Sequence, residues 1–522
     1  MIAPRPAGTA GSAPSAARAD RLEPLVRWAI PLATLAFFLA TARGYGIFRD
    51  ELYYLACARH LDWGYVDQPP MIALLAALAR ALFGDSLTGL RALPALAAAA
   101  TVLLVGDTAH AFGGGRWARL FAQLLTATAP VYLALFTILS MNAFEVLIWA
   151  ALARLAAHLL AGANPRLWLA FGAVAGLGLE TKVSVGLLGA GLAVGLLAAR
   201  RFDALRSKWL WLGGALSLAL FLPHLLWQAA QGWPTREFVA NAQTGKIVRH
   251  GPLGYVLAQV GMVGPVAALA AAAGLAWLLA ARRSRSFRAL GWSALVVLAV
   301  FAFSVAKPYY FTPAFTLLFP AAGVALEGWT AGRFQGPWRA LALLAAAAVL
   351  LAAPLAKPLL SEDGYRAWSA RLGVELEAGE NHARGRLPQL FADMHGWREL
   401  AEAVAAVHRT LPAAERPTAC VYTQNYGEAG ALDFFGPALG IPRAISGHNS
   451  YWSWGWDGCS GDPILIVGGD REDHLEAYAS VEAAGVFRCD ECMPYENGLT
   501  IWIARGLLRP AEEVWRATRH FG

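Results

Sequence analysis

Long apolar runs separated by short polar connectors occupy most of residues 24–356. As helices, runs of this length can cross the ~30 Å hydrocarbon core of a bilayer. We count about eleven of them, and the pair across 166–199 is short for a span. The runs are 24–43, 86–112, 117–137, 143–162, 166–180, 183–199, 209–229, 253–281, 288–306, 309–328 and 337–356. The pattern predicts a polytopic α-helical membrane domain over 24–358.

Polar residues return in bulk after residue 358, where strand-like and helix-like segments alternate. Three short apolar segments are typical of strands, and two longer segments have helical spacing. The strands are TACVYTQ (418–424), PILIVGG (463–469) and LTIWIAR (499–505), and the helices are 393–411 and 472–481. This predicts an α/β domain over 359–522. The aromatic segment 445–458 within it is either a Trp-rich plug packed on the membrane surface or a loop that faces substrate.

The connectors between the apolar runs differ in charge, and this predicts the topology. One alternating set is basic and mostly free of acids, as cytoplasmic loops are. Its members are 113–119, 164–166, 199–208, 281–288 and 332–339. The opposite set, which should face outward, is 44–70, 140–145, 179–182, 228–251 and 306–310. An odd number of spans then places the domain after residue 358 outside and the N-terminus in the cytoplasm.

The N-terminal segment 1–23 is rich in Ala, Pro, Gly and Ser, which predicts disorder. It lacks the apolar centre of a cleavable signal, so we expect the first apolar run to remain as an anchor. Hydrophobic residues make up 57% of the chain and charged residues 15%, a balance far from that of a soluble enzyme. The net charge of +7 comes from the basic connectors, so it does not indicate nucleic-acid binding.

Four of the five cysteines lie in the C-terminal domain, namely Cys420, Cys459, Cys489 and Cys492. In an oxidising compartment they can form one or two disulfides, and two disulfides among four cysteines allow three connectivities. The CDEC segment (489–492) could instead hold zinc or act as a redox pair. No second CxxC accompanies it, and we favour a structural disulfide.

The first outer loop, 44–85, is unusually rich in ionisable residues for a membrane mouth. DELYYLACARHL within it predicts an amphipathic helix, with Leu52, Leu55 and Ala56 in the interface and Asp50 as its N-cap. The segment 69–84 predicts a second amphipathic helix next to the membrane. Asp67 precedes a proline pair, so it is either a structural anchor of the loop or a site residue.

The outward connectors together carry a base, cations and hydroxyl groups at membrane depth. A single outer lysine would be explained by snorkelling at a helix end. Two lysines, a histidine and tyrosines on the same side as several carboxylates instead indicate a cavity with an anion-binding wall. These residues are Arg49, Asp50, Glu51, Asp67, Glu145, Lys182, His224, Lys307, Tyr309 and Tyr310.

The order of motifs resembles that of the C-type glycosyltransferases. FRDELYYLACARHLDWGYVDQPP is followed by ETK and then by KPYYFTPAF. Within this superfamily, the sequence most resembles the bacterial branch that is similar to protein O-mannosyltransferases and the lipid A aminoarabinose transferase. It runs from about residue 40 to 505, and YTQNYGEAGALDFFG and SGHNSYW look like a subgroup of that branch. The family's acidic pair is matched by Asp50 and Glu51, and its acid before a proline pair by Asp67.

This resemblance implies an inverting transfer of a sugar from a polyprenyl-phosphate donor to an acceptor hydroxyl at the periplasmic face of a bacterial inner membrane. Asp50 would be the general base and Glu51 its helper or the helix cap. Arg49, Lys182, Lys307, Tyr309 and Tyr310 would bind the donor phosphate. No cofactor is required. The acceptor could be a lipid, a polysaccharide or a protein, and the sugar is not indicated.

The resemblance leaves a metal open. Asp67 and His224 could contact substrate or bind a divalent cation, because relatives with an acid before a proline pair can use it as a ligand. The residue at 224 departs from the family, where Asn is more usual, so the sequence does not assign a metal.

Two other functions fit a polytopic chain. A transporter or flippase of lipid-linked sugars predicts charges inside the spans and often an internal repeat, whereas the charges here lie at outer ends. A non-catalytic receptor would need far fewer spans as an anchor. A nucleotide-sugar donor is disfavoured, because the chain has no GxGxxG after a strand and no P-loop.

Overall fold

The computed structural model describes residues 13–331, 351–374, 380–456 and 458–522, with a few positions between 336 and 343. Half of the apolar run predicted at 337–356 therefore lies outside the described residues, as do residues 1–12 of the predicted disordered segment. The rest of that segment continues into the first helix, which begins at Ala13.

The described chain from residue 13 to 331 is helical, and the predicted apolar runs within it all contain helix. The α-helices are α1 (Ala13–Ala40), α2 (Arg49–Arg59), α3 (Met71–Phe83), α4 (Leu87–Leu90), α5 (Ala92–Ala111), α6 (Arg116–Thr128), α7 (Pro130–Leu135), α8 (Met141–Leu160), α9 (Leu167–Leu179), α10 (Val185–Ala198), α11 (Phe202–Leu205), α12 (Lys208–Ala230), α13 (Pro234–Asn241), α14 (Pro252–Val263), α15 (Pro265–Ala280), α16 (Arg288–Ala302) and α17 (Phe315–Trp329). Short 3-10 turns cover Arg285–Phe287 and Pro308–Ala314, and a π turn covers Ala242–Lys246.

Six helical segments of the described chain are long and apolar enough to cross a membrane, or seven if the bent pair α14 and α15 forms one span. The six are Glu23–Ala40, Leu87–Ala111, Met141–Leu160, Lys208–Ala230, Arg285–Ala302 and Pro308–Trp329. Three further apolar helices, α3, α9 and α10, are shorter. The protein is thus mostly helical with several apolar helices, and the count by length and composition is lower than the eleven expected.

Proline accounts for part of this difference. Pro130 separates α6 from α7, because a proline lacks the N–H that would continue the helix. Gly264 and Pro265 separate α14 from α15, which meet at 117°. Two of the predicted runs are therefore broken rather than continuous.

Small residues allow the helices to approach closely. A Cβ at Gly172 of α9 would lie 2.0 Å from the backbone oxygen of Gly213 in α12. A Cβ at Gly195 of α10 would lie 2.1 Å from the Ala289 oxygen in α16. At these crossings backbone meets backbone, so no larger side chain fits.

The C-terminal part holds a five-stranded sheet with helices, as the predicted α/β pattern requires. Its strands are β1 (Cys420–Thr423), β2 (Ala444–Ser446), β3 (Ile464–Val467), β4 (Tyr478–Phe487) and β5 (Leu499–Leu507). Their order is β2-β1-β3-β5-β4, where β1 pairs parallel with β2 and β3, and β5 pairs antiparallel with β3 and β4. The helices are α18 (Ala353–Ala356), α19 (Glu362–Leu372), α20 (Gln389–Ala392), α21 (Trp397–Thr410), α22 (Tyr426–Leu439), α23 (Ser450–Ser453), α24 (Arg471–Leu475) and α25 (Ala511–Ala517).

The helix predicted at 472–481 is wrong in its second half. Helix α24 ends at Leu475, and Tyr478 begins β4. Strand β4 pairs with β5 along its length, so sheet pairing outweighs the weak helical preference of its alanines.

The cysteine pattern resolves into two local disulfides, Cys420–Cys459 and Cys489–Cys492. The first joins β1 to Cys459, the residue directly after the aromatic segment 445–458, and the second closes CDEC on itself. Of the three possible connectivities, the structure has this one. The CDEC segment forms a disulfide, as predicted, rather than a zinc site. Cys57 is buried and unpaired.

Candidate active site

Helix α2 carries the acidic pair, and its first turn is capped by Glu51. The N-cap residue is Phe48, whose backbone N–H donates to Glu51 Oε2 at 2.8 Å. The expected N-cap at Asp50 is therefore wrong, because Asp50 already lies inside the first turn. The cap leaves the Asp50 carboxylate free for other contacts.

Glu51 is fully buried and engaged on both carboxylate oxygens. Arg91 donates to Oε1 at 2.9 Å and to Oε2 at 2.7 Å, and the Leu139 N–H donates to Oε1 at 2.8 Å. The side chain is 0% exposed. Of the two roles predicted for Glu51, the structure favours the cap, and the carboxylate has no open side from which to move a proton.

Asp50 is held by the C-terminal domain. Tyr426, the first residue of α22, donates its hydroxyl to Asp50 Oδ1 at 2.9 Å. Asp50 is only partly buried, and its Oδ2 accepts no hydrogen bond from the described residues. One oxygen therefore orients the carboxylate while the other is available to a substrate. Tyr426 lies in a segment that the sequence singled out, but its role was not predicted.

Helix α2 does not lie against lipid as predicted. Leu52 and Ala56 are buried, and a Cβ at Gly430 of α22 would lie 3.0 Å from Leu52. The C-terminal domain covers the face that amphipathicity assigned to the membrane interface. An apolar helix face packs equally well on protein, so the pattern alone could not distinguish the two.

The second acid, Asp67, lies near Asp50 and is bound by a tyrosine of α2. The Tyr53 hydroxyl lies 2.8 Å from Asp67 Oδ1 and 2.8 Å from the Ser450 hydroxyl. The pKa of Asp67 is raised to about 6, mainly by burial; the Tyr53 hydrogen bond opposes this rise and the negative charge of Asp50 adds to it. The two carboxylates are thus close enough to influence each other.

The aromatic segment 445–458 packs on the first outer loop. Ser450 also accepts a hydrogen bond from the Val66 N–H at 3.1 Å. Trp454 stacks on His60 with ring centroids 4.4 Å apart. These contacts place the segment on protein rather than on the membrane surface, and they put Ser450 beside the Tyr53–Asp67 pair. The alternative that the segment faces substrate stays a prediction.

Arg49 is enclosed by the C-terminal domain. Its guanidinium donates to the Tyr495 hydroxyl at 2.9 Å and lies 4.7 Å from the centroid of the Tyr426 ring. Burial raises the pKa of the neighbouring Asp393 to about 7, and Arg49 counteracts that rise. The side chain therefore joins the domain to α2, and its contact with the donor phosphate stays a prediction.

The predicted lysines and tyrosines come together. Lys182 lies 4.8 Å from the centroid of the Tyr310 ring, and the Tyr309 and Tyr310 rings meet edge to face at 4.9 Å. Lys307 lies 5.9 Å from the Tyr309 centroid. The ETK and KPYY motifs thus form one wall of the site, as predicted.

Both lysines of this wall already have acidic partners. Lys182 donates to Glu145 at 2.9 Å and to Asn142 at 2.7 Å. Lys307 forms an ion pair with Glu380. Their positive charge is therefore largely balanced within the protein.

Two residues of this wall were not predicted, Lys246 and Glu380. Burial would raise the pKa of Glu380, but Lys307 and Lys246 lower it to about 2. Burial lowers the pKa of Lys246, and its ammonium makes no hydrogen bond or ion pair within the described part of the chain. Lys246 lies in the outer connector 228–251, where nothing in the sequence distinguished it from other polar residues.

The acidic and basic walls face the same space. Lys246 and Tyr309 both lie within electrostatic range of Asp50. Tyr54 of α2 lies in range of Asp50, Asp67 and Tyr309. A carboxylate with one open oxygen therefore stands near an ammonium group that makes no hydrogen bond or close ion pair with the described residues, although Glu380 lies within its electrostatic range.

His224 is placed as an anchor rather than as a ligand. Its Nδ1 lies 3.1 Å from the Trp63 carbonyl oxygen, which joins α12 to the loop before Asp67. In the described ranges no group of three or more His, Cys, Asp and Glu side chains could hold a metal ion. Contact of Asp67 and His224 with substrate or with a divalent cation stays a prediction.

Comparison with known proteins bears on the fold of the chain. A family model described as dolichyl-phosphate-mannose-protein mannosyltransferase matches residues 67–227. The crystal structure of ArnT from Cupriavidus metallidurans bound to undecaprenyl phosphate covers 91% of this chain and 97% of its own, with a TM-score of 0.59 and 15% identity. The chain has the fold of ArnT.

The apo structure of the same ArnT gives the same TM-score, 0.59, at 17% identity over 93% of this chain and 98% of that chain. The crystal structure of the apo Archaeoglobus fulgidus oligosaccharyltransferase has a TM-score of 0.47 at 11% identity and covers 79% of this chain and 64% of its own. No curated protein sequence matches the chain. The resemblance to C-type glycosyltransferases is thus confirmed, and the ArnT fold extends over nearly the whole chain.

Proposed function

We propose that this protein is a membrane glycosyltransferase that moves a sugar from a polyprenyl-phosphate donor to an acceptor hydroxyl, with Asp50 as general base. One observation carries the proposal. Asp50 is oriented by Tyr426 through one oxygen, keeps the other open, and faces a wall of lysines and tyrosines. This is a base opposite an anion-binding surface, which transfer away from a phosphate requires.

The reaction needs a single displacement. Asp50 takes the proton of the acceptor hydroxyl as its oxygen attacks the anomeric carbon. The bond from that carbon to the phosphate oxygen breaks, and polyprenyl phosphate leaves with the electron pair. Attack and departure occur on opposite faces of the sugar, so the anomeric configuration inverts.

The leaving phosphate gains negative charge and needs cations rather than a general acid. Lys246 supplies a charge that no described carboxylate pairs with. Lys182 and Lys307 contribute less, because Glu145 and Glu380 already neutralise them. Tyr309 and Tyr310 can donate hydrogen bonds to phosphate oxygens from the same wall.

Asp67 fits a positioning role. Tyr53 fixes one of its oxygens at 2.8 Å, and its carboxylate lies close to that of Asp50. Above a pH of about 6 it is ionised and can accept hydrogen bonds from hydroxyl groups of the sugar or the acceptor. We propose Asp67 as such an acceptor, with Glu51 restricted to the cap.

A lipid-linked donor agrees with the location of the site. Its residues lie at the ends of apolar helices, so an isoprenoid tail can stay in the bilayer while the phosphate reaches the lysines. The ArnT structure with undecaprenyl phosphate supports the same donor class. The basic connectors on the other side of the spans support a periplasmic site and a cytoplasmic N-terminus in a bacterial inner membrane.

The direct test supplies purified protein with radiolabelled undecaprenyl- or decaprenyl-phosphate sugars and a membrane extract. We expect label to move from the donor to an acceptor, or slowly to water. Label that only crosses vesicle membranes, with the donor intact, would instead support a flippase. Binding of the donor with neither transfer nor hydrolysis would favour a receptor.

A further inference from the structure

A cavity lined by several charged side chains lies at the other end of α5, away from Asp50. Its volume is about 310 Å³, and it lies among α1, α5, α6 and α8. Its basic lining consists of Arg27, Arg119, Arg154, His110 and His158. Because Arg91 at the start of α5 binds Glu51 and Asp107 lies sixteen residues further along, the two ends are ~24 Å apart.

One buried carboxylate stands at the centre of this cavity. Asp107 accepts from Arg27 at 2.7 Å, with Arg119 at 3.6 Å and Arg154 at 3.9 Å. Arg119 also pairs with Glu23 at 3.0 Å. Three guanidinium groups therefore meet two carboxylates, which leaves one positive charge in excess before either histidine is protonated.

The arginines also have more N–H donors than the acceptor atoms in the cavity can bind. Arg119 is 4% exposed, and its Nε has no hydrogen-bond partner in the described structure. The Nε of Arg27 is likewise buried without a partner there. An unsatisfied buried N–H is costly, and a phosphate group provides several oxygens that guanidinium groups bind in pairs.

The wall beside Arg27 is suited to lipid. On α1, Leu25 is 62% exposed and Leu32 is 56% exposed, and Trp28 is exposed between them. The Arg27 guanidinium lies 5.6 Å from the centroid of the Trp28 ring, and tryptophan is enriched at membrane interfaces. An acyl chain can lie along this surface while its headgroup enters the basic cavity.

We propose that this cavity binds the phosphate of an anionic lipid headgroup, at the membrane face opposite Asp50. Basic cavities between membrane helices on the cytoplasmic side bind such headgroups in other proteins. The site is separate from the proposed donor site, so the two proposals can fail independently.

The first test is native mass spectrometry of the detergent-purified protein with phosphatidylglycerol or cardiolipin, and with phosphatidylcholine as the zwitterionic reference. Arg154→Gln removes the arginine most weakly tied to Asp107. We expect it to lower retention of the anionic lipids about fivefold. Arg206→Gln is the matched control, since Arg206 is exposed in the basic connector 199–208 outside the cavity. Equal loss in both variants, or no preference over phosphatidylcholine, would overturn the proposal.

A second variant separates binding from a purely structural charge network. Asp107→Asn removes the central negative charge, so we expect anionic lipid to bind more tightly even if the melting temperature falls. A variant that is destabilised and binds no more lipid would show that the arginines serve only Asp107. Inorganic phosphate is added in parallel. If millimolar phosphate displaces the lipid completely, the ligand is a soluble phosphate and the lipid assignment is wrong.

Discussion

The Tyr426 hydroxyl donates a 2.9 Å hydrogen bond to Asp50 Oδ1 across 376 residues of chain. This contact joins the C-terminal domain to the first outer loop at the residue proposed as the base. The domain is therefore part of the proposed site, and Arg49 joins the domain to the same loop through Tyr495.

Tyr426→Phe should lower the turnover number about tenfold and leave the apparent affinity for the sugar donor nearly unchanged. The lost hydrogen bond lets the Asp50 carboxylate rotate, and misplacing a base costs rate rather than binding. The measurement is steady-state transfer of labelled sugar at varied donor concentration. Tyr478→Phe, buried in the sheet, is the control. Equal turnover in wild type and Tyr426→Phe would remove the proposed link between domain and base.

Glu51→Gln should destabilise the protein strongly, by about 3–5 kcal/mol, because it leaves Arg91 buried without its counter-charge. Glu237→Gln breaks an ion pair of similar type with Arg519 at the surface and should cost at most about 1 kcal/mol. Thermal unfolding in detergent compares the two variants. If Glu51→Gln is as stable as wild type but inactive, Glu51 has the catalytic role that its burial argues against.

Lys246→Gln should raise the apparent KM for the lipid-linked donor about tenfold, since it removes a charged contact to the phosphate. Arg249→Gln on the same connector is exposed and should have little effect. Donor titrations of both variants are the check. An unchanged KM in Lys246→Gln would leave phosphate binding to Lys182 and Lys307 alone.

The rate should fall on the acidic side with a midpoint near pH 6, if Asp67 acts in its ionised form. Tyr53→Phe removes the hydrogen bond that lowers the pKa of Asp67, so the midpoint should move to higher pH. The pH profile of kcat/KM measures both. A midpoint that stays in place or moves down in Tyr53→Phe would show that another group controls the acidic limb.

Asp67→Asn should be inactive or slow, yet no less stable than wild type at pH 7.5. The pKa of Asp67 is higher in the folded protein than the ~3.9 of an unfolded chain. Ionising it therefore costs stability as pH rises from about 4 to 6, and asparagine avoids that cost. Thermal unfolding at pH 7.5 tests this, and a clear loss of stability would make Asp67 a structural anchor.

Sequence patterns were sufficient to predict that the lysines and tyrosines lie together. Charge alternation between connectors put Lys182 and Lys307 on one side of the spans, and the structure brings both against Tyr309 and Tyr310. The sequence patterns could not show that Glu145 and Glu380 neutralise these lysines. Ion pairing depends on how distant segments pack, and Glu380 is 73 residues from Lys307.

The hydrophobic and polar pattern of the sequence could not predict which residue caps α2 or which distant residues contact Asp50. Either acid of the pair could have capped α2, and only the backbone position of Phe48 selects Glu51. Tyr426 approaches Asp50 from the C-terminal domain, and Lys246 approaches it from an outer loop. The hydrophobic pattern of neither segment predicts such a contact. The β4 strand was missed for a related reason, since its pairing partner β5 lies beyond it in the chain.

The most direct test of the account is the transfer rate of Asp50→Asn with a radiolabelled polyprenyl-phosphate sugar. Asparagine keeps an oxygen for the Tyr426 hydrogen bond and cannot take a proton, so the fold should persist. The account predicts that transfer drops at least about 10²-fold, as expected for loss of a general base, with donor binding and thermal stability retained. Transfer at the wild-type rate in this variant would contradict Asp50 as the base.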